Sequence, residues 1–230
     1  MISSLFITLF MQLRFIFKLE PISLRWDLYL DMNFLAHAHL SFNHSKILTG
    51  NLISDFVKGS SQYSFEKAIH NGIVLHRKID SFTDQHESIK KMKQVFKSEY
   101  GLYAGVFADV VLDYFLANDE NEFKNDDSLF SFSQTTYQQL SMDYEIMPIH
   151  FQKVFLNMKE HNWLYHYKNL WAIQKSFESI VRRAKFLNES ETAFKIFEEN
   201  IELMRPYYDD FFPEIKSYSA SILAELLNDD

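Results

Sequence analysis

The sequence predicts an all-α fold in one domain, and three observations carry that prediction. From Asn33 onward, apolar residues recur three and four positions apart, the spacing of one helix face. Helix breakers are scarce, with 5 Gly and 4 Pro in 230 residues. A chain of this length that is 47% hydrophobic and 17% aromatic can bury one sizeable core. No internal repeat, Gly/Ser linker or low-complexity tract divides it.

The elements follow in order. A helix over 33–42 aligns Phe34, His37 and Leu40 on one side, and one over 46–58 aligns Leu48, Asn51, Leu52 and Asp55. The span 65–80 places Ile69, Ile73, His76 and Asp80 together and turns Lys67 and Lys78 outward. A helix over 86–98 carries Lys90, Lys93 and Lys97 as one stripe. The span 101–117 is apolar all round, the signature of a buried helix. The polar run 118–127 reads as a loop, and helices follow over 127–140, 147–159 (with Pro148 at its start) and 163–186. The tail reads as two helices, 189–205 and 207–227, broken or kinked by Pro206 and Pro213.

Residues 1–31 stand apart. Met1 to Phe17 is apolar with Arg14 as its single charge, lacks a basic start and a small-residue cleavage site, and is short for a membrane span. Met32 opens a segment that reads like a protein start. The first 31 residues are therefore expected to be an extension upstream of a domain at 32–230, from a wrongly chosen start codon; a signal or membrane anchor is the alternative.

The chain has no cysteine, which excludes disulfides and thiolate ligands and makes the cytoplasm the simplest location. Any metal must be held by His and carboxylates, a donor set suited to Mn, Mg, Fe or Zn. The net charge of −8 sits wholly in residues 189–230, with 11 acidic and 3 basic residues. Residues 58–97 are locally basic, 8 against 4. An acidic chain without a binding motif argues against nucleic acid, and no stable membrane association is expected of the domain.

Polar residues on apolar faces point to chemistry. Asp109 and Asp113 lie one turn apart on a face with Leu102, Val106, Leu112 and Leu116; His76 and Asp80 repeat the i, i+4 spacing. Buried carboxylates are costly unless paired or bound to metal. Taken singly, each such residue reads as a cap or a satisfied core histidine. Together, inward His or Asp residues on four helices suit either a metal site or an ion-pair network through Arg77 or Arg183. His39 falls nearly opposite His37, so one of the two faces any given site.

Four blocks in order resemble the acyl carrier protein phosphodiesterase family: Met32–Leu40 (MNFLAHAHL), Gly50–Gly59 (GNLISDFVKG), Gly72–Asp84 (GIVLHRKIDSFTD) and Tyr103–Leu116 (YAGVFADVVLDYFL). Weaker similarity continues through Trp163-Leu164, Arg182-Arg183 and Phe211-Phe212-Pro213, so the resemblance covers about 32–225. It implies an HD-domain-like helical hydrolase that uses a divalent metal, typically Mn²⁺. The implied reaction cleaves holo-acyl carrier protein to the apo-protein and 4′-phosphopantetheine. Its motifs carry over His37, Asp55, His76, Asp80, Asp109 and Asp113 as site candidates. The family usually has His where this chain has Tyr114, a position that the helical wheel turns away from the carboxylates.

On that reading His37, His76, Asp80, Asp109 and Asp113 form a pool of metal ligands and their supports. Asp55, with His37 beside it, is the candidate for base or water positioner, and Arg77 and Lys58 are candidates for phosphate contact. Lys90, Lys91, Lys93 and Lys97, with Arg182 and Arg183, are candidates for meeting the acidic carrier protein. Two rivals remain: an HD-type phosphohydrolase acting on a nucleotide or other small phosphodiester, and a non-catalytic helical domain that binds carrier protein.

Overall fold

The structure, a computed structural model, describes residues 33–228; the expected N-terminal extension, 1–31, lies outside them. Ten α-helices and no strand occur among the described residues: α1 (Phe34–His39), α2 (Ser45–Ile53), α3 (Lys67–Gln85), α4 (Glu87–Tyr100), α5 (Ala104–Ala117), α6 (Asp126–Met142), α7 (Ile149–Glu160), α8 (Trp163–His166), α9 (Leu170–Arg183) and α10 (Glu191–Asn228).

α5 is the central rod. Phe107, Val111, Leu112, Phe115 and Leu116 are all buried, as a helix apolar all round must be. It packs against α1, α4, α9 and α10. Phe107 stacks on Phe96 of α4 at 5.7 Å and meets Phe177 of α9 edge-on at 4.9 Å. Each such side chain contributes about 1.5–3 kcal/mol by leaving water. Leu102, expected on the buried carboxylate face, is instead wholly exposed. Gly101 adopts a φ of 51° and residues 101–103 form a 3₁₀ turn, so Leu102 precedes the helix rather than belonging to it.

Several boundaries differ from the sequence expectation. α1 stops at His39 because Phe42 and Asn43 take positive φ, which turns the chain into α2. α2 tightens after Ile53 into a 3₁₀ turn, Ser54–Phe56, that carries Asp55. The span 163–186 is two helices. Asn169 is extended, and the broken backbone is held by tertiary bonds: Leu164 N donates to the buried Tyr137 hydroxyl, and Asn118 Nδ2 donates to Lys168 O.

The tail shows the reverse. α10 runs unbroken for 38 residues through Pro206 and Pro213. Both prolines lie on the exposed face, as do Glu202 and Asp209, whose carbonyls lose their partners four residues on. Water can satisfy those carbonyls, while Met204, Tyr208, Phe211, Phe212 and Ile215 bury the opposite face. The tertiary burial outweighs two missing backbone bonds.

Candidate metal centre

The site is assembled by an unusually close helix crossing. A Cβ on Gly50 of α2 would stand 1.9 Å from Ile69 O, and one on Gly72 of α3 would stand 2.3 Å from Ile47 O. Only two glycines let these backbones meet, and the contact places Asn51, next to Gly50, against His76, one turn beyond Gly72.

α1 delivers the other imidazole. It is a six-residue helix whose N-cap residue, Asn33, makes no side-chain cap bond. The cap comes from α5: Asp113, fully buried, accepts Leu35 N at 3.0 Å and Ala36 N at 2.9 Å, one on each oxygen. Burial pushes the Asp113 carboxyl up to about 8, against the pull of those two N–H groups. His37, just beyond this anchor, is buried and stacks on His76 with ring centroids 4.1 Å apart.

The two rings are held back and front. At the back, His37 Nδ1 lies 2.7 Å and His76 Nδ1 3.2 Å from the same atom, Asn51 Oδ1. At the front, His37 Nε2 is 3.3 Å from Asp80 Oδ1 and His76 Nε2 is 3.0 Å from Asp80 Oδ2. Asp55 Oδ1 sits 3.2 Å from His76 Nε2. The imidazoles are buried, whereas the side chains of Asp55 and Asp80 are 38% and 47% exposed, so the front opens to solvent.

Electrostatics at this mouth favour a cation. Burial lowers the His76 pKa, but Asp55 and Asp80 outweigh it and raise the imidazole to about 9. Burial likewise opposes ionisation of Asp80, yet His37 and His76 hold its carboxyl well below the usual carboxylate range. Among the described residues, His37, His76 and Asp80 form one group whose ligand atoms all lie within 4.8 Å of one another. With metal–ligand bonds of ~2.1 Å, neighbouring donors lie ~3.0 Å apart around an octahedral ion and ~3.4 Å around a tetrahedral one. The Asp80 oxygens lie 3.3 Å from His37 Nε2 and 3.0 Å from His76 Nε2, separations of that size. The donor set fits a divalent metal.

The other candidates fall around this centre. Asp109 is partly buried on α5 and, with Asp113, lies outside the His37–His76–Asp80 group. Tyr114 faces α10, edge-on to Phe197 at 5.2 Å. His39 points away from His37, bonding Glu122 at 2.7 Å and packing on Phe123. Lys58 is exposed three residues after Asp55, and Arg77, exposed beside His76, donates to Gln62 at 2.6 Å.

On α4, Lys90 pairs with Glu87, and Lys93 with Asp84, one turn of α3 beyond Asp80; Lys91 lies over the Tyr207 ring, and Lys97 is exposed. Arg182 and Arg183 both donate to Ser179 and edge a cavity of about 480 Å³ walled by Phe34, Val110, Trp163 and Tyr167. Sequence reasoning gave Asn51 no role; its signal was an amide one turn before Asp55 on a face with Leu48 and Leu52.

Paired imidazoles and carboxylates at a solvent-open mouth suit hydrolytic chemistry, and comparison with known proteins makes the class a phosphodiesterase. The family model described as acyl carrier protein phosphodiesterase matches residues 32–215, and the chain belongs to that family. It is similar to the acyl carrier protein phosphodiesterase of Pectobacterium atrosepticum, 30% identical over 80% of this chain and 95% of the relative. The Yersinia enterocolitica protein of the same name is 29% identical over 81% and 96%, and the Escherichia coli O139:H28 protein 26% over 82% and 98%. No solved structure matches the chain.

Proposed function

We propose that this protein is a metal-dependent hydrolase that cleaves holo-acyl carrier protein to apo-carrier protein and 4′-phosphopantetheine in the cytoplasm. The observation that carries the reading is the convergence of His37 Nε2, His76 Nε2, Asp80 and Asp55 at one open mouth, in a chain matched by this family over 32–215. The relatives' names supply the substrate. The HD-domain-like relationship rests on the motif resemblance.

His37, His76 and Asp80 would hold the metal, with Mn²⁺ the first candidate. A bound divalent ion lowers the pKa of water and offsets charge on phosphoryl oxygens. Hydrolysis adds water across the bond between phosphorus and the carrier's serine oxygen: the hydroxyl goes to phosphorus and the proton to the departing oxygen. Asp55, at the exposed edge of the cluster, orients the attacking water and accepts its proton. Arg77, next to His76 in the chain, and Lys58, three residues after Asp55, are exposed and would meet the phosphate. The lysines of α4 meet the acidic carrier protein, because Lys93 reaches the α3 turn beyond Asp80.

Intact mass spectrometry tests this directly. Purified protein with Mn²⁺ should remove the 4′-phosphopantetheine mass from holo-carrier protein and stop doing so in excess chelator. Unchanged turnover in chelated, verified metal-free protein would refute metal dependence. Turnover of small phosphodiesters alone would replace the carrier-protein reading with a small-substrate phosphohydrolase.

A further inference from the structure

We infer that Asn51 is a positioning residue that sets the tautomer of both site histidines, so that each presents a bare Nε2 to the mouth. The donors and acceptors behind the two rings fix the orientation of that amide. The carbonyl of His37 can only accept a hydrogen bond. It is also an orphan of the helix end: Leu40 N bonds Ala36 O and Ser41 N bonds Ala38 O, so no backbone donor among the described residues reaches it. Ser41 Oγ donates to it at 2.8 Å, and Asn51 Nδ2 donates at 3.0 Å. Asn51 Nδ2 gives its second hydrogen to Ser41 Oγ at 3.1 Å.

These contacts decide which end of the Asn51 amide is nitrogen, since a flipped amide would set two carbonyl oxygens against each other. The other end is therefore Oδ1, an acceptor, and it faces Nδ1 of both His37 and His76. An acceptor can be met only by N–H, so both Nδ1 atoms carry hydrogen. The carboxylates facing Nε2 also accept N–H, but Asp55 and Asp80 are 38% and 47% exposed and water can serve them, whereas the Asn51 amide is buried; a neutral ring therefore keeps its hydrogen on Nδ1 and turns the Nε2 lone pair toward Asp80. Asn51, Ser41 and His37 are all buried at 1% or below, so water is a poor substitute partner. One amide thus orients two ligands, and it can do so because the Gly50–Gly72 crossing brings α2 against α3.

Without Asn51 the preference should invert. Asp55 and Asp80 at the front are acceptors, and they would draw the single hydrogen of a neutral ring onto Nε2, the position a metal needs vacant.

The test uses full-length protein with ¹⁵N-labelled histidine, stripped of metal and recorded at a pH high enough that both rings are neutral, where the ring nitrogens report the tautomer. Wild type should show Nδ1–H for both His37 and His76, assigned with single His variants. Asn51→Leu should shift at least His76 to Nε2–H and weaken Mn²⁺ binding by calorimetry about 10- to 100-fold, as loss of a ligand's outer partner does. An Nε2–H signal from either ring of the wild type overturns the inference, even if Asn51→Leu fails to fold. The tautomer is read without metal and without substrate, so this result stands or falls separately from the proposed reaction.

Discussion

Raising the pH of metal-free protein from about 6 to about 10 should cost the fold about 3 kcal/mol through His76 alone. In the folded chain the carboxylates of Asp55 and Asp80 raise this imidazole from 6.5 to about 9 despite burial. A folded-state pKa above the unfolded value stabilises the fold fully below 6.5 and loses that stabilisation as pH rises through about 9. At 1.36 kcal/mol per pKa unit the total is ~3 kcal/mol, a large part of the ~5–15 kcal/mol that holds a typical domain together. Asp113, raised from 3.8 to about 8 by burial, adds a separate decline at lower pH, because the folded state keeps a proton that the unfolded chain releases. The assay is urea unfolding in chelator across this range, for wild type and for Asp55→Asn/Asp80→Asn. Both proteins keep Asp113, so the difference between their curves reports the carboxylate–His76 coupling. That difference should shrink by about 3 kcal/mol between neutral and high pH. A pH-independent difference would refute the assignment of a proton shared at this mouth. With the divalent ion present, its affinity should rise over the same window, as the ion and the proton compete for Nε2.

Three further outcomes follow from the packing. Gly72→Ala sets a Cβ 2.3 Å from Ile47 O and 2.9 Å from Asn51 N; it should lower stability by roughly 1–3 kcal/mol or more in urea unfolding and weaken metal binding by displacing Asn51. Asp113→Ala strips the buried acceptor from Leu35 N and Ala36 N; at about 1–3 kcal/mol for each unsatisfied group, a melting temperature unchanged from wild type would show that α1 is not anchored there. Charge reversal of Lys90 and Lys93 to Glu should reduce kcat/KM for holo-carrier protein at low salt and converge on wild type as the Debye length falls below about 8 Å. Equal values at low salt would remove this stripe from the docking surface.

Helix content and the pairing of His76 with Asp80 were legible in the chain itself, because both follow local rules. A period near 3.6 marks a helix wherever it occurs, and the i, i+4 pair His76 and Asp80 shares a face in any helix that contains both. The same rule separated His37 from His39, which the structure sends to opposite environments. Tertiary structure decided what depends on a second element. Pro206 and Pro213 read as breaks, yet α10 passes through both, since their freed carbonyls face solvent and the other face is buried. Asp109 and Asp113 look equivalent on a helical wheel, but only the approach of α1 turns Asp113 into the cap of Leu35 and Ala36. Asn51 looks like one more polar residue on a half-apolar helix. Its meeting with two imidazoles needs Gly50 and Gly72 to touch across α2 and α3, and a helix crossing is set by packing between distant segments, which no local periodicity records.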